Sequence, residues 1–310
     1  MKGLYVTNMY PVNCHKYYGI HVKEQIDSLT DTISGEVIFI NAFENGKIEY
    51  LKSIFGIFRK LKSSHYDYIH IHYGISGLFL LLYRPDIKIF LTLHGGDILP
   101  EQKNYIQNFI TKLIIKKADK VFVLNDAMKD IVRNYTHNYE ILPCGVDSKF
   151  FDFIPEAKCE KKIFLFPGDP SREVKDFDLF EQVIRYLLDV YPNLEVAHIH
   201  DLSREHVRDL LNQASCLIMT SKSEGSPQII KEALSCGLPV ISTNVGDVRT
   251  VISGISNCFI CETRSPEEIA KLVIRSQDQI NRQLIRMQFL NKEEYHIQTI
   301  KRKLLENYAL

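Results

Sequence analysis

Short apolar runs alternate with helical patterns along the 310 residues, and this alternation constrains the fold more than any other feature. Predicted strands form a first series at 2–7, 36–40, 68–72, 87–93 and 120–124, and a second at 162–166, 194–199, 216–220, 240–242 and 258–261. A helix is predicted over 104–117, with one face formed by Tyr105, Ile106, Phe109, Ile110, Leu113 and Ile114. Strands that alternate with helices form parallel sheets covered by helices, so the predicted class is α/β.

The segment ILPCGVDSKFF separates the two series, and its Pro and Gly residues are typical of a hinge. A chain of this length fits two domains. We therefore predict a first domain over 1–150 and a second over 151–290. The remaining segment, 291–310, carries Ile297, Ile300, Leu304 and Tyr308 at helical spacing, so we expect a helix that packs back towards the first domain.

Charge and hydropathy exclude several classes of protein. Lys plus Arg and Asp plus Glu both number 38, so no overall charge favours a nucleic-acid partner. The longest apolar run, 78–83, is far shorter than the about 20 residues that cross a bilayer. No N-terminal signal sequence is evident, and seven scattered cysteines fit reduced thiols, so we expect a cytoplasmic protein.

Two short motifs imitate metal sites, and the sequence favours a structural interpretation of both. Cys258 and Cys261 belong to the predicted strand CFIC, where their side chains face opposite ways. Asp176 and Asp178 begin a helical pattern, and acidic residues stabilise a helix N-terminus. We therefore expect no metal and no other cofactor.

The stretch SKSEGSPQIIKEALSCGLPV, from 221 to 240, contains the local signals of a strand, a loop, a helix and a second strand. Ser226 is predicted to be the N-cap of the helix and Pro227 its first residue. The backbone amides of Gln228 and Ile229 would then point out at the carboxyl end of the sheet, where they can hold an anion or a polar ligand.

Two glutamates flank this predicted anion site. Glu224 lies in the loop, and Glu232 lies in the second turn of the helix. Carboxylates beside an anion site favour hydrogen bonds to hydroxyls, which sugars offer in number. For either glutamate alone, an ordinary solvated position is the simpler interpretation.

Five motifs together resemble one family, the retaining glycosyltransferases of family 4. Glu224 and Glu232 match its E-x7-E signature, and the other matches are LHGGD at 93–97, LPCGVD at 142–147, YYGIHVKEQ at 17–25 and FPGDPSREVKDF at 166–177. The segment SEGSPQIIKEAL is similar to the corresponding segment of bacterial enzymes that synthesise surface polysaccharides such as teichuronic acid. The resemblance implies the GT-B fold, in which two Rossmann-like domains with parallel sheets face an interdomain cleft.

The resemblance implies a nucleotide-sugar site on the second domain. Arg172 and Lys175 would neutralise the pyrophosphate, although the family often carries its arginine where this chain has Asp169. Glu232 would accept hydrogen bonds from the ribose, and Glu224 from the transferred sugar. The same site would include Gly225, Ser226, Pro227, Gln228 and Ile229.

The resemblance also implies contributions from the first domain. Gly19 would let the backbone approach the phosphate, and His94 would contact the sugar near the reacting carbon. Asp97 would touch the acceptor or cap the next segment. His94, Lys175 and Glu224 are the residues for which catalytic roles are implied.

The function expected from this resemblance is that of a retaining hexosyltransferase. It would transfer a sugar from a nucleotide sugar to a glycan or lipid-linked acceptor. The nucleotide would be UDP, which is the usual one in the family that the chain resembles. A nucleotide-sugar 2-epimerase of the same fold and a non-catalytic sugar-nucleotide-binding subunit remain alternatives.

Residues 51–64, LKSIFGIFRKLKSS, combine apolar and basic side chains without an acid. Such a helix can rest on anionic lipid, which would place the protein peripherally on the inner face of the plasma membrane. A core-facing helix with a solvated basic rim is the alternative.

Overall fold

The computed structural model describes residues 1–12, 15–100, 105–155 and 161–309. Contacts between Cα atoms divide the chain into two units. The first unit comprises Met1–Pro143 and the residues from Ile300 on, and the second unit comprises Cys144–Thr299. The division therefore falls inside the segment LPCGVD.

The first unit contains a six-stranded sheet in which every neighbouring pair of strands is parallel, in the order β2-β1-β3-β4-β5-β6. Its strands are β1 (Lys2–Thr7), β2 (Ser34–Phe39), β3 (Tyr68–His72), β4 (Lys88–Thr92), β5 (Lys120–Val123) and β6 (Tyr139–Ile141). Its helices are α1 (Ile20–Asp27), α2 (Ala42–Asn45), α3 (Ile48–Ser63), α4 (Tyr105–Ile115) and α5 (Asp126–Val132). The sequence does not predict β6, because its three residues are only partly buried and form no apolar run.

The face of α4 that carries its largest apolar side chains is not the buried one. Tyr105, Ile106 and Phe109 are 73%, 80% and 63% exposed. The buried face instead contains Asn108, Thr111, Ile114 and Ile115. It lies against the 3-10 segment Gly74–Leu81, where a Cβ on Gly74 would stand 2.3 Å from Thr111 Oγ1. Close packing against glycine thus selects the face with smaller side chains, which periodicity alone does not reveal. The predicted start of this helix, at 104, lies outside the described residues.

The second unit contains a five-stranded parallel sheet in the order β11-β10-β9-β7-β8. Its strands are β7 (Ile163–Phe166), β8 (Glu195–His198), β9 (Cys216–Met219), β10 (Val240–Thr243) and β11 (Phe259–Cys261). Its helices are α6 (Phe177–Leu188), α7 (Arg204–Gln213), α8 (Gln228–Ser235), α9 (Val248–Ile252), α10 (Pro266–Ser276) and α11 (Arg282–Leu290). Both faces of the sheet are covered, because Leu165 and Leu217 lie in one apolar cluster and Phe164 and Cys216 in another.

Both motifs that imitate metal sites lie at secondary-structure elements of the second unit. Cys258 and Cys261 are free thiols, 8% and 3% exposed. Asp176 is the N-cap residue of α6, and its carboxylate accepts a hydrogen bond from Arg264. The two aspartates of this motif therefore mark the start of a helix.

The last helix, α12 (Ile297–Tyr308), contributes to the core of the first unit. Ile300, Leu304 and Tyr308 lie in one buried cluster with Tyr5 and Phe90, among others. The ring of Tyr308 also stacks on that of Tyr68, with the centroids 4.1 Å apart.

Across the described ranges, none of the helices combines the length and the apolar character that a membrane span requires.

Candidate active site

An ion pair stands at the carboxyl end of the second sheet. Lys175 ends a 3-10 turn, Glu173–Lys175, between β7 and α6, and Glu224 lies in the loop between β9 and α8. Lys175 Nζ donates to Glu224 Oε1 at 2.7 Å, and Ser221 Oγ donates to the same oxygen at 2.7 Å. The two charged side chains are only 12% and 16% exposed. The structure thus brings together two of the predicted site residues and adds Ser221.

The Glu224 carboxylate is held in its charged form. Burial alone would raise its pKa, but the positive charge of Lys175 and the hydrogen bonds from Lys175 and Ser221 outweigh burial and lower the pKa below its usual value. Arg172, which is exposed, contributes in the same direction through its charge. Glu224 is therefore an acceptor of hydrogen bonds at any physiological pH.

Two glycines allow this arrangement, and sequence reasoning had missed both. Gly246 has φ 56°, and a Cβ there would lie 2.5 Å from the carbonyl oxygen of Gly225 and 3.0 Å from that of Glu224. Gly168 has φ 148°, and its Cβ would lie 3.0 Å from Lys175 Cε. Both positions favour glycine because φ is positive there. A Cβ at either position would also lie too close to the backbone or side-chain atoms just named.

Ser226 has a different role from the predicted one. Helix α8 begins at Gln228 with Pro227 as its N-cap residue, so Ser226 lies outside the helix. Its hydroxyl donates to Asp247 Oδ2 at 2.6 Å and accepts from the backbone amide of Cys144 at 3.2 Å. The hydroxyl is used in tertiary contacts, which a local capping rule cannot anticipate.

A fully buried lysine completes this cluster. Lys231 is 0% exposed, and its ammonium donates to Asp247 Oδ2 at 2.9 Å and to the Ser226 hydroxyl. Gln228 Nε2 donates to the Gly145 carbonyl at 3.4 Å, and Ile229 follows it in the first turn of α8. These contacts fix the loop that carries Glu224 to the segment that begins at Cys144.

Glu232 is paired with an arginine that the sequence analysis did not identify. Arg204 Nη2 lies 2.5 Å from Glu232 Oε1, and the glutamate side chain is 2% exposed. The Arg204 guanidinium also lies over the ring of Phe151, 4.6 Å from its centroid. No local pattern links residues 204 and 232, so only the tertiary structure reveals the pair.

At the carboxyl end of the first sheet, His94 lies between two other histidines. His94 Nδ1 is 3.2 Å from His21 Nε2, and His94 Nε2 is 3.3 Å from His72 Nδ1. Behind them, His70 stacks on His72 with centroids 4.3 Å apart, and its Nδ1 lies 2.5 Å from Tyr308 Oη. The four rings form a continuous row that the spacing of the histidines in the sequence only partly suggests.

The imidazoles of His94, His72 and His70 are neutral at physiological pH. Burial lowers the pKa values of His94 and His72 well below the usual range, and the neighbouring histidines lower them further. Burial also lowers the pKa of His70 to about 3. These three rings therefore offer hydrogen-bonding groups without positive charge.

Asp97 anchors the loop that carries His94. Its side chain is fully buried and accepts hydrogen bonds from the backbone amides of Gly74, at 2.9 Å, and His94, at 3.0 Å. Burial raises the pKa of Asp97 to about 6, although these backbone hydrogen bonds oppose the rise. These contacts join Asp97 to two segments that precede it in the sequence, and its expected role at the acceptor stays a prediction.

Gly19 stands where the chain needs a glycine. It is the N-cap residue of α1, has φ 66°, and a Cβ there would lie 2.2 Å from the Met9 carbonyl carbon. A side chain at this position would force the loop away from the first strand.

Comparisons with known proteins identify the family of the chain. A model of the glycosyl transferases group 1 matches residues 100–283, and a model of glycosyltransferase family 4 matches residues 16–150. An uncharacterized glycosyltransferase of Methanocaldococcus jannaschii is 26% identical over 255 residues, 73% of this chain and 70% of that one. A putative teichuronic acid biosynthesis glycosyltransferase of Bacillus subtilis is 25% identical over 247 residues, 70% of this chain and 62% of that one. The chain thus spans about two thirds of the length of these relatives.

Solved structures share the fold at low sequence identity. Sucrose-phosphate synthase of Thermosynechococcus elongatus superposes with a TM-score of 0.79 at 15% identity, covering 99% of this chain and 98% of that one. An Anabaena protein in complex with UDP-glucose superposes with a TM-score of 0.75 at 12% identity, covering 100% and 99%. Because the group 1 model matches more than half of the sequence, the chain belongs to the glycosyl transferases group 1, and it has the GT-B fold of these neighbours.

Proposed function

We propose that this protein is a retaining glycosyltransferase that moves a sugar from a UDP-linked donor to a glycan or lipid-linked acceptor in bacterial surface polysaccharide synthesis. The observation that carries the proposal is the buried pairing of Lys175 with Glu224, with Ser221 on the same carboxylate oxygen. The donor is chosen because structures of the same fold hold UDP and UDP-glucose. The pathway is chosen because one relative bears a teichuronic acid assignment.

Lys175 is the group assigned to the departing nucleotide. An ammonium carries three donors, so Lys175 can keep its bond to Glu224 and still donate to a phosphate oxygen. As the glycosidic bond breaks, the β-phosphate gains negative charge, and a cation already held in place stabilises that charge. Arg172, exposed on the same segment, adds a second positive charge. On this proposal no metal ion is required.

The two glutamates are assigned to hydroxyls of the donor. Glu224 Oε1 accepts from Lys175 and Ser221, so we assign Oε2 to a hydroxyl of the transferred sugar. Glu232 Oε1 is paired with Arg204, and we assign its Oε2 to the ribose. In both cases a basic partner orients the carboxylate.

We assign retention of the anomeric configuration to attack by the acceptor on the face of the sugar from which the nucleotide leaves. The acceptor oxygen forms a bond to the anomeric carbon as the bond from that carbon to the phosphate oxygen breaks, and the acceptor proton passes to the departing phosphate. Positioning and charge stabilisation then supply most of the catalysis. Neutral His94 would donate a hydrogen bond from its Nδ1 to a hydroxyl of the sugar. That hydroxyl would take the place of the partly buried His21 ring, which contacts His94 Nδ1 in the structure.

Peripheral contact with an anionic membrane is part of the proposal. Helix α3 buries Ile54 and Ile57, but Ile48, Leu51 and Phe55 are 52%, 53% and 78% exposed at helical spacing. A purely core-facing helix accounts for the buried pair and not for the exposed row. Flotation of the protein with phosphatidylglycerol vesicles tests this part, with a variant in which Lys52, Arg59, Lys60 and Lys62 are changed to Gln. Equal flotation of the two proteins would remove membrane contact from the proposal.

The decisive experiment for the main proposal is a panel of nucleotide sugars followed by product analysis. The true donor stabilises the folded protein by mass action, and UDP is expected to do the same. With donor and acceptor together, NMR of the product should show the same anomeric configuration as the donor. An inverted product would overturn retention, and an epimerised nucleotide sugar formed without acceptor would favour the epimerase alternative. If no nucleotide sugar raises the melting temperature, the proposal fails.

A further inference from the structure

An open groove of about 740 Å³ lies in the first unit, lined by residues of α2, α3, the 3-10 segment Gly74–Leu81 and α4. None of the glycosyl-transfer roles assigned above uses it. Its exposed lining is largely apolar, whereas polar lining residues such as Asn8, Tyr50 and Gln107 are buried or partly buried, and this distribution indicates the chemistry of its ligand.

The exposed apolar part of the lining consists of large side chains in contact with solvent. Phe43, Leu51 and Ile106 line the groove and are 55%, 53% and 80% exposed. Ile75 and Leu78 form its floor and are partly buried. Contiguous exposed apolar side chains in a concave surface are typical of a binding site, because leaving them in water costs free energy.

The polar part of the lining reaches the loop that carries His94. Asn8 directly follows β1, and its Nδ2 donates to Tyr50 Oη at 2.7 Å. Gln107 Nε2 donates at 3.1 Å to the carbonyl of Gly96, two residues after His94. The groove is therefore continuous, within the first unit, with the loop to which we assign sugar contact.

Lys47 supplies a positive charge to the same groove. It lines the groove, is exposed, and directly precedes α3. An apolar channel with a cation beside it is complementary to a molecule that has a hydrocarbon chain and an anionic head. A plain oligosaccharide matches neither property.

We propose that this groove binds the hydrocarbon chain of an amphiphilic acceptor whose phosphate head is neutralised by Lys47. The inference rests on the proposed function, since it names the class of acceptor for that transfer. The chain lies along Phe43, Leu51 and Ile106, and the polar end of the acceptor points towards Asn8 and Gln107.

The absence of tryptophan from the sequence permits a specific test. Phe43→Trp places a single tryptophan in the groove, and Met287→Trp places one at a 55% exposed position of the second unit as a matched control. Titration of F43W with farnesyl phosphate should shift its emission to shorter wavelength and saturate. Farnesol should bind at least fivefold more weakly, inorganic phosphate should cause no shift, and M287W should not respond to any of the three. No saturable shift in F43W, or the same shift in M287W, would overturn the proposal.

Second variants separate a lost ligand from a lost fold. Ile106→Asp and Lys47→Gln change exposed side chains, so the F43W/I106D and F43W/K47Q proteins should keep their melting temperatures and lose at least fivefold in affinity for farnesyl phosphate. Unchanged affinity in both would contradict the proposed contacts. Stabilisation by UDP is measured on the same samples. If UDP binds and farnesyl phosphate does not, only the groove proposal fails, whereas failure of UDP to bind defeats the proposed function.

Discussion

The carboxyl ends of the two sheets carry polar groups of opposite character. In the first unit, His94 and His72 are neutral imidazoles with lowered pKa values, next to a fully buried Asp97 whose pKa is raised. In the second unit, Lys175 and Glu224 form a charged pair, and a second pair joins Arg204 to Glu232. The same βα topology thus builds one end with neutral imidazoles and one with two charged pairs. A leaving diphosphate needs the charged kind of environment. A sugar that offers only hydroxyls needs the kind with neutral imidazoles.

Removing the cation of the second unit should have the largest effect. Lys175→Met should lower kcat about 10²- to 10³-fold, as does the loss of one group that stabilises developing negative charge. The acceptor KM should stay within about twofold, since Lys175 is not assigned to the acceptor. Lys222→Met is the matched control, because that lysine is exposed in the same region and pairs only at 3.7 Å with Glu173. Steady-state kinetics that show a raised acceptor KM and an unchanged kcat would contradict the assignment.

The raised pKa of Asp97 predicts a pH dependence of stability. Because the folded protein holds this proton up to about pH 6, whereas the unfolded chain loses it near pH 3.8, Asp97 destabilises the fold as the pH rises through this window. Full ionisation corresponds to about 3 kcal/mol. Asp97→Asn removes this titration, so the free energy of unfolding of D97N relative to wild type should rise by about 2.4 kcal/mol between pH 4 and 7.

Urea unfolding of both proteins at pH 4, 5.5 and 7 measures this difference. The histidines titrate in both proteins, so their contribution cancels in the comparison. A difference that stays constant over the three pH values would show that Asp97 ionises normally.

The Arg204 and Glu232 pair should show coupling in a double-mutant cycle. Arg204→Met leaves a nearly buried carboxylate without its partner and should cost about 2 to 3 kcal/mol of stability. Adding Glu232→Gln should recover part of that loss, since the uncompensated charge is then removed. Additive losses in chemical denaturation would mean that the pair does not interact.

Substitutions of the histidines should have smaller effects on kcat, and these effects should differ between His72 and His21. His72→Phe removes the group 3.3 Å from His94 Nε2 and should lower kcat about tenfold, the equivalent of one hydrogen bond. His21→Phe should change kcat less than about threefold, because the sugar is proposed to replace His21. The ¹⁵N NMR signals of His94 should change in H72F and reveal the altered hydrogen bonding. His72→Gln keeps a polar partner and should restore most of the rate. Equal losses in H72F and H21F would contradict this division of roles.

Local sequence patterns were sufficient to predict all of the described strands except β6. The strands at 2–7 and 68–72 have the predicted bounds, because their buried residues form continuous apolar or aromatic runs. Lys175 and Glu224 were identified from family motifs that follow β7 and β9. These features depend on neighbours in the sequence, so the sequence alone is enough to find them.

Features that depend on distant segments could not be predicted. Arg204 meets Glu232, Ser226 meets Asp247, and Gly246 makes room for the Glu224 loop, all across more than 20 residues. The buried face of α4 is set by its close approach to Gly74 and Gly77, and not by its own hydrophobicity. In each case two segments had to be placed side by side before the role of either side chain was defined.

The central claim is that the charged end of the second unit holds the diphosphate of the donor, and calorimetric titration with UDP tests it most directly. We predict saturable binding to the wild-type protein, a loss of at least about tenfold in affinity for Lys175→Met, and unchanged affinity for Lys222→Met. Equal affinity of all three proteins for UDP would contradict the claim.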